Sequence, residues 1–192
     1  MADFSDLPVL TFADQAAFEA WLEAEHERAP GAYVKLAKKG APVPTLTQPQ
    51  LVESLLCFGW IDGRGNRLDD RFHLQRITPR RAKSVWSQKN VDRVVALIEA
   101  GRMRPGGLAA VEAAKADGRW ERAYAGSATI TVPDDLVAAL AAEPAAQREF
   151  EVLDGANRYA VLWRVHTAGT PATRAKRIAT LVQMLAEGGR IH

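Results

Sequence analysis

The sequence contains one cysteine, Cys57. That excludes an intrachain disulfide and a multi-cysteine zinc site, and it fits a reducing compartment. Cys57 is flanked by Leu55, Leu56 and Phe58, the setting of a buried, inert thiol. Long apolar runs are also missing. A run such as Leu136–Ala142 is far shorter than the ~20 residues that span a bilayer. Histidines are few, and His26, His73, His166 and His192 show no ligand spacing, so we expect no metal and no cofactor. There is no Gly-x-Ser-x-Gly elbow and no phosphate-binding P-loop. Gly63-x-Gly65 lacks the third glycine and the following helix of a dinucleotide fingerprint. Ser84 and Ser87 have no evident His or Asp partner in sequence. Adjacent acids at Asp69-Asp70 and Asp134-Asp135 suit a strand and a helix start better than acid/base chemistry. The start, Met1-Ala2-Asp3-Phe4-Ser5-Asp6, has no basic stretch followed by an apolar one, so we expect no secretory signal and a cytoplasmic location.

What is present is 192 residues at 47% hydrophobic content, enough for a sizeable core. We expect a single domain over 1–192, with an α+β part at about 1–86 and a helical part at about 87–192. The net charge of +2 conceals an asymmetry. Met1–Val34 carries seven acids and one base, whereas Arg64–Arg93 carries nine bases and three acids. A local excess of one sign attracts an opposite charge even when the total is near balance. The competing reading is a solvated hairpin surface.

Val9–Phe12 predicts a short strand. Asp14 predicts a helix cap, followed by an apolar face of Ala17, Phe18, Trp21 and Leu22 and a stop at Pro30-Gly31. Ala32–Lys38 alternates as a half-buried strand does. Thr47 with Gln50 predicts a capping box for a helix over Pro49–Phe58. Trp60–Asp62 and Phe72–Ile77 predict an antiparallel hairpin that Pro79 stops. Ser87 or Asn90 should cap a helix with Val91, Val94, Val95 and Ile98 inward and Gly101 at its end. Helices are expected over Leu108–Asp117, from Pro133 to Leu140, and over Ala145–Leu153, Asn157–Thr167 and Pro171–Gly188. Gly118–Val132 should be irregular. The fold class is α+β: a small mixed or antiparallel sheet with helices in the N-terminal half, and a helical C-terminal half packed against it.

The functional signal is concentrated between Trp60 and Asn90. Two tryptophans flank the hairpin, arginines follow Pro79, and serines and an asparagine lie where a helix begins. Guanidinium forks hold carboxylates and phosphates, helix starts attract anions, and indoles offer flat surfaces. Candidate ligand-binding residues are therefore Trp60, Asp62, Arg76, Arg80, Arg81, Trp86, Ser87 and Asn90. Each has a plainer reading. The tryptophans suit a core. Arg80 and Arg81 could pair with Asp62, Asp69 or Asp70. Arg174, Lys176 and Arg177 suit a solvated helix flank. Asp62, two residues after Trp60 and so on the same strand face, is the best candidate for an acidic group in the site, with the role of orienting an arginine.

Phe58-Gly59-Trp60-Ile61-Asp62, Thr78-Pro79-Arg80-Arg81, Ser84-Val85-Trp86-Ser87 with Asn90, and Leu97–Met103 together resemble the YdeI/OmpD-associated, or bacteriocin-protection, proteins. Asp117-Gly118-Arg119-Trp120 with Tyr124, and Thr173–Ile178, extend the resemblance to about Tyr33–Gly188. It implies a soluble bacterial protein of about this length, concerned with stress or with bacteriocin or antimicrobial-peptide tolerance, and it implies no particular reaction. The porin in the family name does not make this chain a barrel, since barrel-length alternating strands are absent. The expectation is a module binding a small anionic or ring-bearing ligand, with a protein partner as a further option. The alternatives are an enzyme using Trp60, Asp62 and Arg80, and a nucleic-acid-binding protein, which the balanced total charge disfavours.

Overall fold

The computed structural model describes residues 6–41 and 43–192. They form four strands and eight α-helices, an α+β architecture. The chain divides into two compact units. One comprises residues through Ser84 together with Asn90–Trp120, and the other comprises Val85–Lys89 together with Glu121–His192.

The first unit is built on a mixed sheet. Strand β1 (Val9–Leu10) runs parallel to β2 (Ala32–Ala37), and β4 (Phe72–Pro79) lies antiparallel between β2 and β3 (Trp60–Arg67). The hairpin of β3 and β4 is longer than the two short predicted runs. Its register shifts between Asp62 and Gly65, within Gly63-Arg64-Gly65. Extra residues on one strand require such a bulge, and glycines accommodate it. The amide of Gln75 donates to the Gly63 carbonyl at 2.7 Å, so the widened ladder keeps a hydrogen bond. Pro79 ends β4, where its missing N–H is no loss.

Helices α1 (Gln15–Glu25) and α2 (Gln48–Cys57) begin as their caps predict. Asp14 accepts from the Ala17 amide at 2.9 Å. Thr47 and Gln50 satisfy each other's backbone amides in a full capping box. Helix α1 stops several residues before Pro30, with His26 as its last cap. Helix α3 (Gln88–Glu99) buries Val91, Val94 and Leu97. Val95 and Ile98, expected inward, are 47% and 42% exposed. The apolar positions allow two stripes, and packing selects the one in i, i+3 steps. Gly101, at φ +65°, lets the Arg102 amide reach back to the Leu97 carbonyl and close the helix. Helix α4 (Pro105–Ala116) starts against the end of α2. There a Cβ on Gly107 would lie 2.2 Å from the Cys57 carbonyl oxygen, so only glycine fits.

The second unit contains α5 (Asp134–Ala141), α6 (Pro144–Glu151), α7 (Gly155–His166) and α8 (Pro171–Ala186). Its core joins Leu136, Leu140, Phe150, Val161, Leu162, Val165, Ile178, Leu181 and Leu185. Asp154 caps α7 through the Asn157 amide, and Thr170 caps α8 through the Thr173 amide. Two arginines expected on a solvated flank of α8 are occupied instead. Arg174 grips both oxygens of Asp135 and donates to the Val165 carbonyl, and Arg177 donates to the Arg164 carbonyl at 2.6 Å. Carbonyls at the end of α7 lack helical partners, and cations supply them.

Candidate functional site

Asp62 lies on β3 opposite Ile77, and Trp60 lies opposite Pro79, so both side chains face the same side of the sheet. Trp60 is only 1% exposed. Its indole N–H donates to the His26 carbonyl at 3.2 Å and its ring meets Trp21 edge-on. It anchors the strand beneath Asp62. Arg76 projects from β4 on the other face, aligned with Tyr33, and both reach Asp6, Arg76 at 3.4 Å and Tyr33 at 3.1 Å. The sheet therefore separates Arg76 from Asp62.

Around Asp62 the structure brings in two residues from outside the hairpin. Gln48, the first residue of α2, donates its amide to Asp62 Oδ2 at 3.3 Å. The carbonyl oxygen of that same amide is buried with no hydrogen-bond partner. Burial pushes the Asp62 carboxyl above its ordinary value, against its own backbone hydrogen bond and the positive fields of Arg80 and Arg93. Arg80 is positioned by its backbone, whose N–H donates to the Gly59 carbonyl at 3.0 Å. Arg81 is exposed, and its backbone N–H is held by the Ser84 hydroxyl at 3.0 Å.

Two of the acids that could pair with these arginines, Asp69 and Asp70, are engaged elsewhere. Asp69 accepts from the amides of Arg71 and Phe72, which holds its carboxyl below the ordinary range, and Asp70 pairs with Arg67. Asn90 sits in the first turn of α3, in the same unit as Asp62. Trp86 and Ser87 belong to the second unit, where Trp86 is 2% exposed. Ser87 bridges to Tyr124, and the Gln88 N–H donates to the Tyr124 carbonyl. One amide at the start of α3 is thereby already used.

Sequence reasoning missed Gln48 and Arg93. Gln48 is a polar residue at a helix start, and Arg93 is one base among many. Only the return of α2 and α3 towards the sheet marks them. It also missed a polar network in which Arg102 bridges Glu19 at 2.8 Å and Glu53 at 3.0 Å, while the buried Ser54 hydroxyl donates to Glu19. Burial pushes the nearby Cys57 thiol up, consistent with an inert thiol. Among the described residues no group of three His, Cys, Asp or Glu side chains is placed to hold a metal ion, and no helix is long and apolar enough to cross a membrane.

Comparison with known proteins places two family models on the chain. Residues 10–110 match a domain of unknown function (DUF8412). Residues 129–188 match the family described as bacteriocin-protection, YdeI or OmpD-associated. No curated protein and no solved structure matches the chain. The hairpin motifs from Phe58 to Met103 fall within the first match, and the α8 motif Thr173–Ile178 falls within the second. The chain thus belongs, over more than half its length, to the DUF8412 family, and its C-terminal helices carry the YdeI/OmpD-associated signature that its motifs suggested.

Proposed function

We propose that the protein is a binding module for a small anionic or ring-bearing ligand, received around Asp62, Arg80 and Arg81, and that it serves bacteriocin or antimicrobial-peptide tolerance. The observation that carries the reading is the Gln48–Asp62 pair. A half-buried carboxylate sits in the field of two arginines, next to a buried amide oxygen that lacks a donor. Buried polar groups without partners are costly. An acid that also carries an N–H or O–H group answers both features, its anion meeting the guanidinium groups and its donor meeting Gln48. Asn90, in the same unit as Asp62, remains a candidate contact. The tolerance role rests on the match of residues 129–188 to the bacteriocin-protection, YdeI or OmpD-associated family.

The test is thermal stabilisation by a panel of nucleotides and organic acids. A ligand at 100 times its Kd adds about 2.7 kcal/mol, a shift of several degrees. Replacing Arg80 and Arg81 together by alanine should abolish the shift, and an unchanged shift would count against this site. A deletion strain should become more sensitive to cationic peptides, and unaltered sensitivity would remove the tolerance role. The enzyme alternative keeps one support, the raised Asp62 carboxyl, since such groups cluster at reactive sites.

A further inference from the structure

We infer that the second unit holds a separate site for a small aromatic carboxylic acid, in a cavity along α7 beside Trp163 and Arg164. The cavity is open to solvent, offers about 500 Å³ and is lined by Tyr124, Ala156, Tyr159, Ala160, Trp163 and Arg164, together with Ile191 and His192. Volumes of about 300–1,000 Å³ are typical of small-ligand sites. Positions 156, 159, 160, 163 and 164 fall on one face of the helix. The alanines leave the space that longer side chains would fill, and the rings at 159 and 163 wall it.

The walls are fixed by contacts within the unit. Tyr124 stands edge-on to Trp163, with centroids 5.9 Å apart at 82°. Its backbone is clamped on both sides, its N–H donating to the Trp86 carbonyl at 3.0 Å and its carbonyl accepting from Gln88 at 2.9 Å. Asn157, only 4% exposed, accepts from the amides of Ile191 and His192 at 3.0 Å each. A pocket built before its ligand arrives loses less entropy on binding.

The chemistry is set by Arg164. Its Nη1 is buried without a hydrogen-bond partner, and among the described residues it forms no ion pair. Three acids of the same unit are committed elsewhere: Asp135 to Arg174, Glu149 to Arg190, and Asp154 to Asn157. A half-buried guanidinium that lacks a counter-charge is unfavourable, and a carboxylate on a ligand supplies it through a charge-assisted bond. Burial, and then the neighbouring Tyr124, push the Tyr159 phenol up. The Tyr159 hydroxyl donates to the Ala125 carbonyl at 3.4 Å, which holds the ring in the wall of the cavity. Three aromatic rings and one cation in the lining of one cavity favour a flat acid over a bare inorganic anion.

Benzoate is a suitable probe, titrated calorimetrically into the full chain while the Trp163 indole N–H is followed by NMR. Saturable one-to-one binding that moves that resonance is expected. Arg164→Met should weaken it about tenfold or more, the scale of one charge-assisted hydrogen bond. Benzyl alcohol, which keeps the ring and loses the charge, should bind weaker by a similar factor. Ala160→Trp should abolish binding by filling the space, and it keeps the test open if Arg164→Met fails to fold. The proposal is overturned if benzoate does not bind, if either variant binds it as tightly as the parent, or if benzyl alcohol binds equally well. The outcome is independent of Arg80 and Arg81, whose variant reports on the first unit.

Discussion

Asp62 shows what a single residue carries. The alternation of β3 placed it beside Trp60, and that much was legible. Its half-burial and the approach of Gln48 were not, because Gln48 comes from α2. A carboxyl whose folded pKa is raised favours the protonated form. Its stabilising share is full below the unfolded value and is lost as pH rises through the folded pKa. Asp62→Asn escapes that loss. At pH 7 the variant should be at least as stable as the parent, with the difference closing as pH falls to the ordinary carboxylate value and below. Urea midpoints at both pH values check this, and marked destabilisation at pH 7 would make Asp62 a structural residue. If the protein proves to be an enzyme, the same substitution should abolish turnover. Gly107 is a second residue-scale case. Alanine there would meet the Cys57 and Leu56 carbonyls at 2.2 and 2.7 Å, both backbone atoms that cannot swing aside. Gly107→Ala should cost about 1–3 kcal/mol by overpacking, seen as a lower urea midpoint.

Among the elements, those with chemical start signals were legible within a residue or two. Asp14, Thr47 with Gln50, and Pro171 mark helices that begin where those residues predict. The inward stripe of α3 was not, because Val91, Val94, Val95 and Ile98 satisfy a helical period on a different face from Val91, Val94 and Leu97. Only a neighbour decides between such stripes. The role of the α8 arginines was hidden for the same reason, since Asp135 is 39 positions away from Arg174. That pair joins α8 to α5 in the second unit. The Arg174 hydrogen bonds hold the Asp135 carboxyl below its ordinary range. Its contribution is therefore present above the unfolded carboxylate value and is lost as pH falls through the folded one. Both side chains are partly exposed, at 29% and 47%, so screening keeps the term small. Asp135→Asn should cost about 1 kcal/mol or less at pH 7 and almost nothing in strong acid, read from urea unfolding at the two pH values.

For the whole molecule, the charge balance argues against nucleic-acid binding. The total is +2, and several bases are tied to acids, as Arg76 is to Asp6 and Arg67 to Asp70. Affinity for DNA or RNA grows with the number of phosphates neutralised and falls steeply with salt. The protein should not retard duplex DNA or single-stranded RNA at 0.15 M salt, a near-physiological ionic strength. A tight, salt-resistant complex would reverse that view. By itself the sequence determined the α+β class, most helix boundaries, the hairpin and the family resemblance, because caps, prolines, glycines and apolar periods act within a few residues of where they stand. Tertiary structure alone decided which tryptophans are core, which arginines are already engaged, and which polar atoms at Gln48 and Arg164 are left wanting a partner. Those outcomes depend on contacts between segments far apart in the chain, and no local pattern encodes them.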